Sequence, residues 1–295
     1  METRAEPVAL DGEAIMEMRA CALNFADTLM LKGKYQEKPP YPLTPGMEVA
    51  GLVEGRRMAG FIGYGGLAER VAVRPDTLTE IPEALDFAEA ASLPIAYGTA
   101  HLALDHRAAL KPGERLVVTG AGGGVGLTGV MMGKLLGAEV IAVARGADKL
   151  EAARQAGADH LIESDTDLRQ AVKDLGGADV VYDAVGGEIF TQLLRATNPE
   201  GRIIPIGFAS GDVAPIPANH LLVKNITVIG LYWGGYLKFA PDVLRDSLAK
   251  IYAWAAEGKI TPQIGHRLPL DDAAEGLAML TERRALGKVV ITNEA

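Results

Sequence analysis

Hydrophobic residues recur with two different periods along this chain, and the change of period divides it. Over 1–94, short apolar runs at 14–19, 49–53 and 67–73 are separated by proline and glycine, which predicts brief strands of a small twisted barrel. From 116 onward, continuous apolar runs alternate with amphipathic ones. This predicts a strand leading into a glycine-rich turn over 116–126, a helix over 125–136, strands at 139–144 and 160–162, a helix at 168–175, a strand at 180–184, a helix at 188–196 and a strand at 202–206. Regular strand-helix alternation predicts a parallel doubly wound sheet. Its last strand is read at 226–232 (ITVIGLY), after a proline-bearing loop at 213–217, so 95–235 form one nucleotide domain. Beyond it, 242–257 and 272–284 carry the helical period, and 288–292 reads as a terminal strand returning to the first domain.

Bulk properties narrow the function. At 295 residues the chain exceeds a usual single core, and 48% hydrophobic residues supply a packed interior for two. With 29 basic against 38 acidic residues the formal charge is −9, which argues against nucleic acid or an anionic membrane as partner. The one cysteine, Cys21, cannot form an internal disulfide, so a reducing cytoplasm fits, although a cysteine-poor periplasmic protein has the same look. The opening METRAEPVALDGEA is charged and lacks the apolar core of an export signal. Residues 116–133 are free of charge but hold seven glycines and a strand-turn break, so no membrane span is read there.

The candidate chemistry begins in LVVTGAGGGVG at 116–126. Ala121, Gly123 and Gly126 fall on the three small-residue positions of a dinucleotide fingerprint: the tight turn, the approach of the pyrophosphate, and the helix-strand contact. A helix opening there aims its free N–H groups at phosphate. A glycine-rich turn in apolar sequence also has a purely structural reading. The next strand and its end favour the ligand. About 20 residues on, where NAD enzymes place an acid for the ribose hydroxyls, stands Arg145, with Lys149 one turn into the next helix. An arginine fork suits a 2′-phosphate, so the cofactor is read as NADPH.

Several motifs, in order, carry a family resemblance: LNFAD (23–27), PGMEVAG (45–51), LPIAYGTAH (93–101), the glycine turn, GFASG (207–211), LYWGGY (231–236) and RRALGKVVI (283–291). The chain resembles the zinc-free quinone oxidoreductases of the medium-chain dehydrogenase/reductase superfamily. The resemblance implies an α/β fold: a GroES-like β-barrel catalytic domain from 1–94 and 236–295, with an inserted Rossmann NADPH-binding domain, 95–235. It implies Asn24, Leu29, Tyr35 and Thr99 around the nicotinamide end and substrate cleft. Gly123, Gly124 and Val125 would meet the phosphates, and Arg145, Lys149 and Ser164 the adenosine phosphate. Phe208, Ala209, Tyr232, Trp233 and Lys288 would line the rest of the cofactor channel. Asn24 also reads as a helix N-cap with Asp27 at N3, and Tyr35 and Trp233 also read as packing aromatics.

Zinc-dependent relatives carry a cysteine where this chain reads Leu23 and Asn24, a histidine at Met47, and a four-cysteine lobe. One cysteine builds neither site, and the five histidines are scattered, so no metal is expected. Hydride delivery from NADPH to an activated acceptor, a quinone or an α,β-unsaturated carbonyl, needs no Lewis acid. Asn24 or Tyr35 would stabilise the developing oxyanion, with the proton from water. An enone, alkenal or acyl-CoA double-bond reductase is the second reading within enzymes, and a non-catalytic NADPH-binding structural or regulatory protein the reading of another class. Relatives pair the edge strand across a two-fold axis, so a homodimer is expected. Against the family pattern, the usual opening strand is absent and a turn and most of a strand are missing at 54–58 (EGRRM), which reads either as a true deletion or as a segment left out of the numbering, the second favoured because an unclosed barrel would expose strand edges.

Overall fold

The computed structural model describes residues 2–282 and 284–293; Arg283, the first residue of the 283–291 motif, lies outside them. The chain divides into two compact units, Met1–Gly98 with Tyr236–Ala295, and Thr99–Gly235.

The first unit opens with β1 (Ala14–Ala22), β2 (Glu48–Val53), β3 (Arg56–Phe61), β4 (Arg70–Val73) and β5 (Thr79–Glu80). Val53 pairs directly with Arg56 across a two-residue turn, in which Glu54 (φ 51°) and Gly55 (φ 79°) are both left-handed. That is the turn whose twist matches the flanking strands. Arg56 and Arg57 thus begin a full strand of their own, so the residues at 54–58 close a hairpin as they stand.

In the second unit, β6 (Arg115–Thr119), β7 (Glu139–Ala144), β8 (His160–Glu163), β9 (Ala178–Asp183), β10 (Thr197–Pro205) and β11 (Thr227–Val228) form one parallel sheet in the order β11-β10-β9-β6-β7-β8. Strand order reverses between β6 and β9, and the crevice at such a switch point is where open α/β sheets bind ligands. Val117, Ile141, Val181, Phe190, Leu193 and Ile203 fill the core beside this sheet. The strand read at 226–232 shrinks to two residues. β11 is an edge paired only with β10 among the described residues; the Ile229 N–H reaches the Ile203 carbonyl, but the next rung would need an N–H from Pro205, which has none.

The chain then returns to the first unit with β12 (Ile264–Pro269) and β13 (Lys288–Thr292). β13 pairs antiparallel with β1, in the order β12-β13-β1-β2-β3-β5, with β4 also on β1. Inward-facing Met16, Met18, Val49, Met58, Val289 and Ile291 build the core. No helix among the described residues is long and apolar enough to cross a membrane.

Glycines set how closely helix Gly124–Leu135 approaches its strand. A Cβ on Gly126 would lie 2.0 Å from the Gly120 carbonyl oxygen, and one on Gly133 would lie 2.4 Å from Leu116 Cδ2. The Gly126 clash is with backbone, which cannot rotate away. Gly126→Ala is therefore expected to destabilise the protein by about 2 kcal/mol or more, the scale of overpacking in a dense interior; urea denaturation reads it, and an unchanged midpoint would refute the contact.

Candidate cofactor and active site

The residues expected to meet the phosphates in the second unit stand at the C-terminal ends of its strands. After β6, Gly120 turns with φ 62°, Ala121 donates its N–H to the Val143 carbonyl (3.1 Å), and Gly123 N-caps helix Gly124–Leu135 in extended conformation. The first amides of this helix, at Gly124 and Val125, have no acceptor within it and point toward anything placed at its start. Gly123 differs from Gly126. A Cβ added to it would meet only the Gly120 oxygen at 3.5 Å, an ordinary contact, and its φ of −93° suits any residue. Nothing within the unit requires glycine there, whereas a phosphate approaching the helix start does.

After β7 come Arg145 and Gly146, the second in left-handed conformation (φ 89°) as N-cap of helix Ala147–Gln155. Arg145 is exposed and makes no ion pair among the described residues. Lys149, half-buried, lays its stem across the glycine turn: a Cβ on Gly122 would lie 2.4 Å from Lys149 Cβ. Packing on Gly122 is what brings the Lys149 stem against the glycine turn. Ser164 follows β8 and donates its N–H to the Ala144 carbonyl (2.9 Å) and to Glu163 (3.2 Å).

The loop after β10 is laced to the end of β9. Ile206 and Gly207 donate to the Asp183 carbonyl (2.7 and 3.3 Å), and Ala209 to that of Ala184 (3.2 Å). Phe208 stays 49% exposed, with its ring edge against Gly186. Asp183 itself is a buried carboxylate that accepts from Thr119 Oγ1 (2.5 Å) and from the N–H groups of Val185 and Gly186 (3.1 and 3.0 Å). Burial pushes its pKa up, against those hydrogen bonds. It pins β6 to β9 at the switch point, a role that sequence reasoning missed because one aspartate at a strand end has no local signature. Tyr232 is exposed and packs beside Gly235, Trp233 is buried, and Thr99 is half-buried on helix Pro94–His101.

The first unit holds the other expected residues, Asn24, Tyr35 and Lys288. Lys288 is 5% exposed at the start of β13, and its ammonium donates to the Leu23 carbonyl (3.1 Å), Asn24 Oδ1 (2.9 Å) and Glu48 Oε1 (2.5 Å). Asn24 Nδ2 donates to the same Glu48 oxygen (2.9 Å) and to the Ala22 carbonyl (3.4 Å). The other Glu48 oxygen accepts the Ile95 N–H (2.7 Å). The Asn24 amide hydrogens are thus both engaged inside the unit, which leaves this side chain as a support rather than a free donor. Asp27 is fully buried and accepts the Asn24 N–H (2.8 Å), one half of the N-cap arrangement, and the Gly46 N–H (2.9 Å). Desolvation raises its pKa to about 6, over the lowering by those two amides. Tyr35 is half-buried; desolvation, Glu37 and Asp27 all raise its phenol pKa, so it stays a protonated donor.

No group of three or more histidine, cysteine, aspartate or glutamate side chains could hold a metal among the described residues. Cys21 is buried with its pKa well raised, first by desolvation, and His160 lies 2.8 Å from Glu139.

Comparison with known proteins agrees with this architecture. Residues 10–83 match the alcohol dehydrogenase GroES-like domain and 124–250 the family described as zinc-binding dehydrogenase. Quinone oxidoreductase-like protein 2 of Bos taurus is 40% identical over 95% of this chain and 85% of its own. Among solved structures, the quinone oxidoreductase of Thermus thermophilus, determined also in complex with NADPH, has a TM-score of 0.92 at 34% identity, covering 99% of this chain and 95% of that one. The Escherichia coli quinone oxidoreductase complexed with NADPH has a TM-score of 0.88 at 26% identity, covering 99% and 94%.

Two tests address the buried network. Lys288→Met leaves Glu48 buried without its cation and is expected to cost about 3 kcal/mol, whereas Lys288→Met with Glu48→Leu should cost clearly less than the two single changes summed; additive losses in urea denaturation would dissolve the pair. For Asp27, a folded pKa of about 6 above an unfolded one near 3.8 means that the folded state holds the proton more tightly. Its contribution is fully present below pH 4 and lost as pH rises through 6. Wild type should therefore gain up to about 3 kcal/mol over Asp27→Asn between pH 7 and pH 4, and a pH-independent difference would show that Asp27 titrates normally.

Proposed function

Since the chain belongs to the quinone oxidoreductase family of the medium-chain dehydrogenase/reductase superfamily, we propose that it is an NADPH-dependent oxidoreductase that passes hydride to a quinone without zinc. The observation that carries the cofactor reading is Gly123, a glycine that no neighbour demands at the start of a helix whose first amides are free for phosphate. The unpaired Arg145 and the Lys149 stem across Gly122 supply the charge for a 2′-phosphate.

Bound NADPH would supply the hydride. Gly124 and Val125 would hold its pyrophosphate through backbone N–H groups, Arg145, Lys149 and Ser164 its adenosine phosphate, and Phe208, Ala209, Tyr232 and Trp233 would line the rest of the cofactor. Thr99 is assigned to the nicotinamide end. Tyr35, kept protonated by its surroundings, donates to the acceptor oxygen on which charge develops, and water delivers the proton. Asn24 and Lys288 act by holding the strand ends of the first unit, since their polar atoms are bonded to one another and to Glu48. An ammonium paired with a carboxylate beside Asn24 is also what supports zinc independence: this position, where zinc relatives place a cysteine ligand, offers no metal donor set.

Gly123→Ala tests the reading directly. It should leave thermal stability within about 1 kcal/mol of wild type, because its Cβ has room, while weakening NADPH at least tenfold by fluorescence titration. A panel of quinones, enones, alkenals and acyl-CoA enoyl esters followed at the NADPH absorbance names the acceptor class. Turnover confined to carbon-carbon double bonds would replace the quinone assignment, and NADPH binding with no consumption on any acceptor would mark a non-catalytic protein.

A further inference from the structure

The corner that holds Arg145 and Lys149 also contains a carboxylate that the proposed function does not use. Glu163 ends β8, and its Cα pairs with Ala144, the last residue of β7, so its side chain rises from the next strand at the same sheet end. Its oxygens accept the Gly146 N–H at 2.9 and 3.1 Å and the Ser164 N–H at 3.2 Å. No cation pairs with it among the described residues. A carboxylate therefore occupies the amide of the very residue that N-caps helix Ala147–Gln155, where a 2′-phosphate held by Arg145 and Ser164 would lie.

We propose that Glu163 is a specificity-determining residue that narrows the preference for NADPH over NADH. The inference rests on the dinucleotide reading of this corner. Both the bonds and the charge of Glu163 act on that preference. It claims backbone N–H groups that would otherwise donate to the phosphate, and it sets one negative charge beside a ligand group carrying nearly two, so part of the attraction of Arg145 and Lys149 is cancelled. A ribose lacking the phosphate meets no such repulsion, and its hydroxyl is a donor suited to a carboxylate oxygen with unused lone pairs. An acid one strand away from the usual ribose-binding position thus acts on the same part of the cofactor.

Glu163→Gln separates charge from geometry, because the carboxamide oxygen can still accept the Gly146 N–H. Titration of wild type, Glu163→Gln and Glu163→Asp with NADPH and with NADH, read by nicotinamide fluorescence, is the test. Glu163→Gln should tighten NADPH about threefold at low salt with no gain for NADH, the gain shrinking as salt rises, as expected of a partly exposed charge. Glu163→Asp keeps the charge but draws the carboxylate back from the Gly146 N–H, and should shift the ratio clearly less than Glu163→Gln does. Binding of both cofactors with the ratio unchanged in Glu163→Gln, or shifted equally in both variants, overturns the inference and leaves the NADPH assignment standing. Failure of wild type to bind either dinucleotide overturns both.

Discussion

The contact of Gly126 with the Gly120 carbonyl is the constraint on which the second unit depends. With no room for a methyl group between them, helix Gly124–Leu135 starts directly over the end of β6, and its first amides stand at the sheet's switch point. A helix pushed outward by one side chain would carry those amides away from any ligand in the crevice. Neighbouring glycines divide the labour. Gly126 serves the fold and Gly123 leaves space for a ligand, so equal-looking letters in one motif differ in what their replacement should cost.

In the first unit an ion pair serves a comparable purpose. Lys288 and Glu48 are both buried, and burial of either alone would be costly. Together with Asn24 they join the start of β13, the start of β2 and the two residues after β1, while Asp27 ties the next helix to the Gly46 turn. The polar residues of this region thus spend their hydrogen bonds on one another. Tyr35 stands outside that network of bonds, half-buried with its phenol pKa raised. Electrostatics at the end of β7 is of a different kind: Arg145 is exposed and Lys149 and Glu163 half-buried, so their charges stay open to solvent.

What the chain determines by itself is whatever depends on neighbours in sequence. The strand at 139–144 and the terminal strand at 288–292 have the same bounds in the structure, and the glycine turn leads into its helix within a residue of expectation. Period, helix stops and the need for small residues in a tight turn are local properties, and so is the placement of Arg145 one step beyond β7. Tertiary structure alone decided the rest. The bonds of Lys288 to Asn24 and Glu48 span 264 and 240 positions, the Glu163 carboxylate reaches back 17 positions to Gly146, and β11 stops after two residues where Pro205 of its neighbour has no N–H for the next rung. Hydrogen-bonding capacity is written in each residue, but the partner that satisfies it is set by which distant segments the fold brings within about 3 Å.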